Sequence, residues 1–146
     1  MTSYNNPAKS IDGRLTNADY KALGTFRNAL RQFNAFSESA AAAAGLMPQQ
    51  HQALLAIKEM SIDMTPSVGD VAERLMIRHH SAVELIGRLV RMGLLRRIRD
   101  AADRRRVRVL LTPLAERKLA KLAEAHLIEL RAIRPMLITL LTHFDQ

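Results

Sequence analysis

The sequence contains no cysteine, which excludes disulfides, Cys-ligated zinc and a thiol redox switch within the chain. It has no early apolar stretch of the signal-peptide type and no uninterrupted run of about 18 apolar residues. A cytoplasmic protein without membrane association is therefore expected. There is no Gly-rich phosphate loop, and the acids do not pair in a pattern suited to acid–base work, so an enzyme is not expected. No cofactor is expected either. His51, His126 and His143 are scattered, and the adjacent His79 and His80 point in different directions on a helix rather than chelating at i, i+4. Lone histidines on helices are more often structural than ligands, and no metal site is expected.

What is present is ordinary in amount and unusual in placement. The 146 residues are 48% hydrophobic and 25% charged, enough for one domain with a sizeable core. The net charge is +8. Between Arg74 and Arg108 stand eleven Arg, no Lys and three acids (Glu84, Asp100 and Asp103). That quarter of the chain therefore carries a charge equal to that of the whole. Arginine suits bidentate recognition of phosphate and guanine; a merely solubilising surface would fit dispersed Lys better.

The same region organises the fold. From Ala82 the apolar residues Ala82, Leu85, Ile86, Leu89 and Val90 form one buried helical stripe, and the opposite side carries His80, Ser81, Glu84, Gly87, Arg88 and Arg91. Gly93 supplies a left-handed stop. Arg96 to Arg99 and Arg106 to Val109 then alternate with period two around the polar tip DAADRR, a hairpin signal. A basic-faced helix followed at once by an Arg-tipped hairpin is the layout of a winged helix-turn-helix, and implies DNA binding.

The flanks read as helices. Thr16 and Asp19 form a capping box that opens a long helix. Tyr20, Leu23, Phe26, Leu30, Phe33 and Phe36 recur along it, it runs on through Ala40 to Ala44, and it ends at Gly45. Pro48 suits N1 of a second helix reaching about Met60. Ser67 and Asp70 cap a short third helix with Val71, Ala72 and Leu75 inward, and Met76-Ile77-Arg78 is the turn before the basic helix. Arg78 or His79 must serve there as N-cap, a poor choice by propensity. Thr112 and Pro113 restart a helix whose stripe of Leu119, Leu122, His126, Leu130 and Ile133 is interrupted near Pro135. Beyond it Leu137, Ile138, Leu140 and Leu141 are apolar on more than one face, which suggests an oligomer interface with the first helix. The expected organisation is a frayed arm over 1–15 and a single mainly α domain over 16–146 with a small β-hairpin wing. Its DNA-binding lobe spans about 46–112 and its dimerisation helices about 16–44 and 113–144.

RHHSAVELIGRLVRMGLLRR, the D-x-x-D-R-R of Asp100, Asp103, Arg104 and Arg105, and the LLT of Leu110 to Thr112 together resemble the MarR family (multiple antibiotic resistance regulators). The resemblance is sharp over about Ser67 to Thr112. It implies a two-fold dimer that binds double-stranded DNA at a pseudo-palindromic operator, usually as a repressor in the cytoplasm at the nucleoid. Many members are released by a small, often aromatic or phenolic, anion. Some relatives bind zinc, which leaves a zinc sensor as an alternative for the scattered histidines. Two departures occur: Ala115 stands where the family usually has Gly, with Pro113 inserted at N1, and no Cys near the first helix supports peroxide sensing.

On this reading Arg78, His79, His80, Ser81, Glu84 and Arg88 present the groove-facing helix, its members reaching base edges or phosphates. Glu84 either accepts from cytosine N4 or orients Arg88 at i+4. Arg104 and Arg105 occupy the wing tip, where an Arg enters a narrow minor groove. Arg96, Arg97, Arg99, Arg106 and Arg108 flank it, meeting phosphates or partly pairing with the protein's own acids. Asp100 and Asp103 cap the turn and pair with a neighbouring Arg, fixing the wing's shape. An effector pocket is expected between the first and second helices, with Tyr20, Phe26, Arg27 and His51 as liners, ordinary core being the alternative for each. A sequence-tolerant architectural DNA binder without an effector is the competing function.

Overall fold

The computed structural model describes residue 13 and residues 15–145. The frayed arm expected over 1–15, apart from Gly13 and Leu15, lies outside the described residues. Five helices and one hairpin follow in the order α1 (Asn17–Ala43), α2 (Pro48–Met60), α3 (Val68–Leu75), α4 (His79–Arg91), β1 (Leu95–Arg99), β2 (Val107–Leu111) and α5 (Pro113–Phe144). This is a mainly helical winged helix-turn-helix.

Local chemistry sets most boundaries. Ahead of α1, the Thr16 N–H donates to Asp19 Oδ2 at 2.8 Å and the Asp19 N–H to Thr16 Oγ1 at 3.2 Å. This reciprocal box satisfies two orphan donors. Gly45 ends that helical run at φ 76° and Gly93 the one after α4 at φ 75°, conformations that glycine adopts without a Cβ penalty. The turn between α3 and α4 is different. Met76 holds φ 54° with 91% of its surface exposed; for a residue with a Cβ that conformation costs on the order of 1–2 kcal/mol. The Ile77 N–H donates to Ala72 O at 3.0 Å in the same turn. Arg78, the N-cap of α4, makes no side-chain cap bond.

One expectation fails. Helix α5 runs unbroken from Pro113 to Phe144 through Pro135, although the stripe suggested an interruption there. A mid-helix proline removes one backbone hydrogen bond and crowds the preceding turn, at about 3 kcal/mol. Residues on both sides keep helical pattern, and a long cooperative helix tolerates one missing bond.

The chain divides into two units, residues 37–126 and a second made of the residues up to 36 with those from 127 onward. Within the first unit the core gathers Ala41 and Leu46, Leu54 and Ile57 of α2, Val71 of α3, and Ala82, Leu85, Ile86 and Leu89 of α4. Leu94, Leu95, Val109, Leu119 and Leu122 complete it. The α4 stripe is therefore the inner face of that helix. Strands β1 and β2 pair antiparallel with Leu95 opposite Leu111 and Arg97 opposite Val109. Segment 65–67 adds a short third partner: the Val109 N–H donates to Pro66 O at 2.9 Å, and Ser67 bridges to Arg108.

In the second unit Ala22, Ala29 and Leu140 are buried, and His143 Nε2 stands 3.0 Å from Asp19 Oδ1. That contact, with the backbone bond in the Thr16 box as the larger cause, holds the Asp19 carboxyl below its ordinary range. Much of the apolar stripe is not covered within the chain. Tyr20, Leu23, Leu127, Ile128 and Leu141 all remain more than half exposed.

Candidate nucleic-acid interface

Helix α4 buries its apolar stripe and leaves His79, His80, Glu84, Arg88 and Arg91 exposed, with Ser81 half-buried. Gly87, expected on the open side, is buried. Its cover comes from arginines: a Cβ built on Gly87 would stand 3.2 Å from Arg97 Nη2 and 3.5 Å from Arg91 Nη1. Strand alternation explains the reach of Arg97. It shares a face with the buried Leu95, so its stem starts against α4 and its guanidinium extends to the helix surface. Val83 is 46% exposed on the same helix, an apolar group of the kind that meets a thymine methyl.

The wing tip is built by two carboxylates. Asp100 Oδ1 accepts from the Ala102 N–H at 2.9 Å, and Asp103 Oδ1 accepts from the Arg105 N–H at 3.0 Å. Both are side-chain turns that bend the chain without glycine. Asp100 also takes a two-pronged ion pair from Arg108, 2.8 Å to Nε and 2.7 Å to Nη2. Arg108 Nη1 donates in addition to the Thr65 carbonyl. The Ala102 backbone bond, and after it the Arg108 guanidinium, hold the Asp100 carboxyl below the ordinary carboxylate range. Strand β2 is thus tied at once to the tip and to the segment before α3.

A second tie runs from the wing to α3. Ser67 caps that helix: its Oγ accepts from the Asp70 N–H at 3.1 Å, and Asp70 Oδ2 accepts from the Ser67 N–H at 2.9 Å. Arg106 Nη2 lies 3.4 Å from Ser67 Oγ and from both Asp70 oxygens. Partial burial would raise the Asp70 pKa, but the Ser67 hydrogen bonds and Arg106 outweigh it and the net shift is downward. Stability from this carboxylate is present above its unfolded pKa and is lost as pH falls through the lowered folded value. Ser67→Ala, at a position only 3% exposed, should cost about 0.5–2 kcal/mol and flatten the acid limb of the stability profile. Urea melts of both proteins across the acid range would check it; an unchanged acid slope would dissociate Asp70 from the cap.

These ties sort the arginines. Arg74 is paired with Glu59 at 2.6 Å, Arg106 and Arg108 with Asp70 and Asp100, and Arg99 Nη1 donates to the Arg104 carbonyl at 3.1 Å. Arg106, expected at the nucleic acid, is thus drawn toward the protein's own carboxylate. Among the described residues Arg78, Arg88, Arg91, Arg97, Arg104 and Arg105 make no side-chain hydrogen bond or ion pair. Glu84 makes no ion pair with Arg88. A groove of about 580 Å³ runs between α3, α4 and the wing, with Val68, Val83 and Ile86 among its apolar lining and Arg97, Arg105 and Arg106 among its cations.

The expected effector residues belong to different units. Tyr20, Phe26 and Arg27 are exposed in the second unit, while His51 is buried in the first, 5% exposed, its ring centroid 5.0 Å from that of His126. Burial, and secondarily His126, lowers the His51 pKa, and its Nδ1 has no partner among the described residues. No three metal-ligating side chains stand together among the described residues, and no helix there is long and apolar enough to cross a membrane. Sequence reasoning offered pairing with the protein's own acids as one alternative for Arg106 and Arg108, which the structure shows for both; it missed the arginine contacts over Gly87 and the particular acids. For Gly87 a signal was available: a glycine inside a strongly periodic helix marks a close approach.

The sequence model of the MarR family matches residues 44–106. A sequence search of curated proteins finds no match. Among solved structures the chain is similar to AbsC, a MarR family transcriptional regulator from Streptomyces coelicolor, at 23% identity and TM-score 0.68, covering 82% of this chain and 80% of that one. It is also similar to RV1404 from Mycobacterium tuberculosis, at 19% identity and TM-score 0.72, covering 91% and 96%. A MepR mutant from S. aureus, bound to an oligodeoxyribonucleotide, matches at 21% identity and TM-score 0.62, covering 86% and 84%.

Proposed function

We propose that this chain, whose residues 44–106 match the model of the MarR family, is a winged helix-turn-helix regulator of that family, a dimeric, sequence-specific repressor released from its operator by a small aromatic ligand. The observation that carries the DNA half is the sorting of arginines. Arg106 and Arg108 tie the wing to the protein while Arg78, Arg88, Arg104 and Arg105 are left without internal partners among the described residues. Unpaired guanidiniums on a reading helix and a wing tip are arranged for double-stranded DNA, whose phosphates set affinity and whose base edges set sequence. His79, His80, Ser81 and Glu84 complete the face of α4, with Arg97 and Arg99 on the strand beside it. Asp100 and Asp103 hold the tip in shape.

Support for the dimer is the apolar surface of the second unit, where Leu23, Phe26, Leu127 and Leu141 stay exposed; a partner copy would bury it. Footprinting should reveal a pseudo-palindrome with half-site centres about one DNA turn, roughly 10 bp, apart. Sedimentation should give a dimer at micromolar concentration. A monomer with intact DNA binding, or a single asymmetric half-site, would contradict the proposal.

The ligand half rests on the family. Its candidate residues are Tyr20, Phe26 and Arg27 on α1 and, taken separately, His51 on α2, with Arg27 and His51 each a group for a carboxylate. Release of operator by aromatic carboxylates should be blunted in Arg27→Ala and His51→Gln, and an unchanged response in the double variant would remove both from the assignment.

A further inference from the structure

Resting on the DNA-binding reading, we propose that Arg91 and Arg97, brought together over the bare backbone of Gly87, form one seat for a single DNA backbone phosphate. A surface recess of about 410 Å³ opens at the C-terminal half of α4, lined by Val83, Glu84, Gly87, Arg88, Arg91 and Arg97. Arg91 comes from the last turn of the helix and Arg97 from β1, and Nη atoms of both lie against the same glycine. Neither side chain makes a hydrogen bond or ion pair among the described residues, although Arg74, Arg106 and Arg108 in the same lobe all find acids. Glu84 stands in the lining without an ion pair to either.

Two guanidiniums held side by side repel each other unless an anion lies between them. A phosphodiester has one charge and two free oxygens, so it can take an N–H from each fork at once. Among the described residues no carboxylate fills that role. The position favours backbone phosphate over a base edge: Arg91 stands at the last residue of α4 and Arg97 on the strand that opens the wing, farther along the chain from the helix N-terminus whose residues reach bases in this fold class. Gly87 is what permits the pairing. A bare Cβ there would stand 3.2 Å from Arg97 Nη2 and ask a few tenths of an ångström of it, while a longer side chain would occupy the place of the guanidinium. It is a positioning residue; the arginines are the contacts.

Shared use of one phosphate has a signature that independent contacts lack. Arg91→Ala and Arg97→Ala should each weaken binding to operator and to scrambled duplex alike, by roughly tenfold. Each should also lower the dependence of log K on log salt by about one phosphate's contribution. The double variant should lose little more than either single one, because the seat is already broken. Gly87→Leu should reproduce the loss with both arginines present, while circular dichroism and thermal melting stay close to wild type. Neutralising one phosphate per half-site as a methylphosphonate should abolish the effect of both arginine substitutions together. Multiplicative losses in the double variant would overturn the shared seat, and so would an Arg91→Ala protein indistinguishable from wild type. If wild type binds duplex but these variants do not differ from it, the inference fails and the DNA-binding reading stands. A wild type that binds no duplex sinks both.

Discussion

Leu89→Ala should lower the unfolding free energy of the reading-helix lobe by about 2–5 kcal/mol, the range for a buried Leu truncated in a core that only partly collapses. Leu89 is fully buried, as are Ala82 and, within one percent, Ile86, and all belong to the continuous core shared by α2, α3, β2 and α5. The stripe does two things at once. It supplies cohesion, and it fixes the rotation of α4 about its own axis, so that His80, Glu84 and Arg88 face outward. Truncating Leu89 should therefore also reduce duplex affinity without removing any group that touches DNA. Val83→Ala, on the exposed side, should change stability by no more than about 0.5 kcal/mol. Urea titrations followed by circular dichroism measure both. A smaller destabilisation in Leu89→Ala than in Val83→Ala would mean that α4 is held by something other than its stripe.

Arg88→Ala and Arg105→Ala should part company in pattern. Arg88 lies on the open face of α4 with no internal partner among the described residues. Removing a bidentate hydrogen bond to a base edge there should cost about 1–3 kcal/mol on the cognate site, with little change on other duplexes. Arg105 is at the wing tip, its backbone held by Asp103 and its side chain exposed. An Arg at that place senses groove width and phosphate potential, so its removal should weaken binding to all DNA and lower the salt slope by about one. Titrations of each variant against operator and scrambled duplex at several salt concentrations would separate them. Equal weakening on both duplexes for Arg88→Ala would make it a phosphate anchor.

The parts of this fold that can be read from sequence are those whose cause lies within a few residues. Thr16 with Asp19 and Ser67 with Asp70 announce helix starts because the capping partners are three residues apart. Pro48, Gly45 and Gly93 act through their own backbone preferences. The α4 stripe is legible because helical period and burial coincide over several residues. Pairing of wing arginines with the protein's own acids is open from the sequence, but which arginine pairs with which group is not. Arg108 reaches Asp100 and Thr65, and Arg106 reaches Asp70, thirty-six residues away. From sequence alone these arginines look like their unpaired neighbours. Met76 in the left-handed region carries no glycine or asparagine signal, since the surrounding packing of α3 and α4 imposes it. Pro135 misled in the other direction: a local breaker was overruled by the long helix around it. On α1 the periodicity was plain, but whether Tyr20 and Leu23 face a core or a partner is a tertiary matter that period alone does not decide.

Whether this basic winged helix finds one sequence among many is tested most directly by one titration. The wild-type protein would be bound to duplex from upstream of its own gene and to a scrambled duplex of the same composition, at fixed physiological salt. The expected affinity ratio is about 10³ or more in favour of the native sequence, the margin typical of specific over non-specific binding. A ratio near one would identify a sequence-tolerant architectural binder, and failure to bind either duplex would contradict the DNA-binding function altogether.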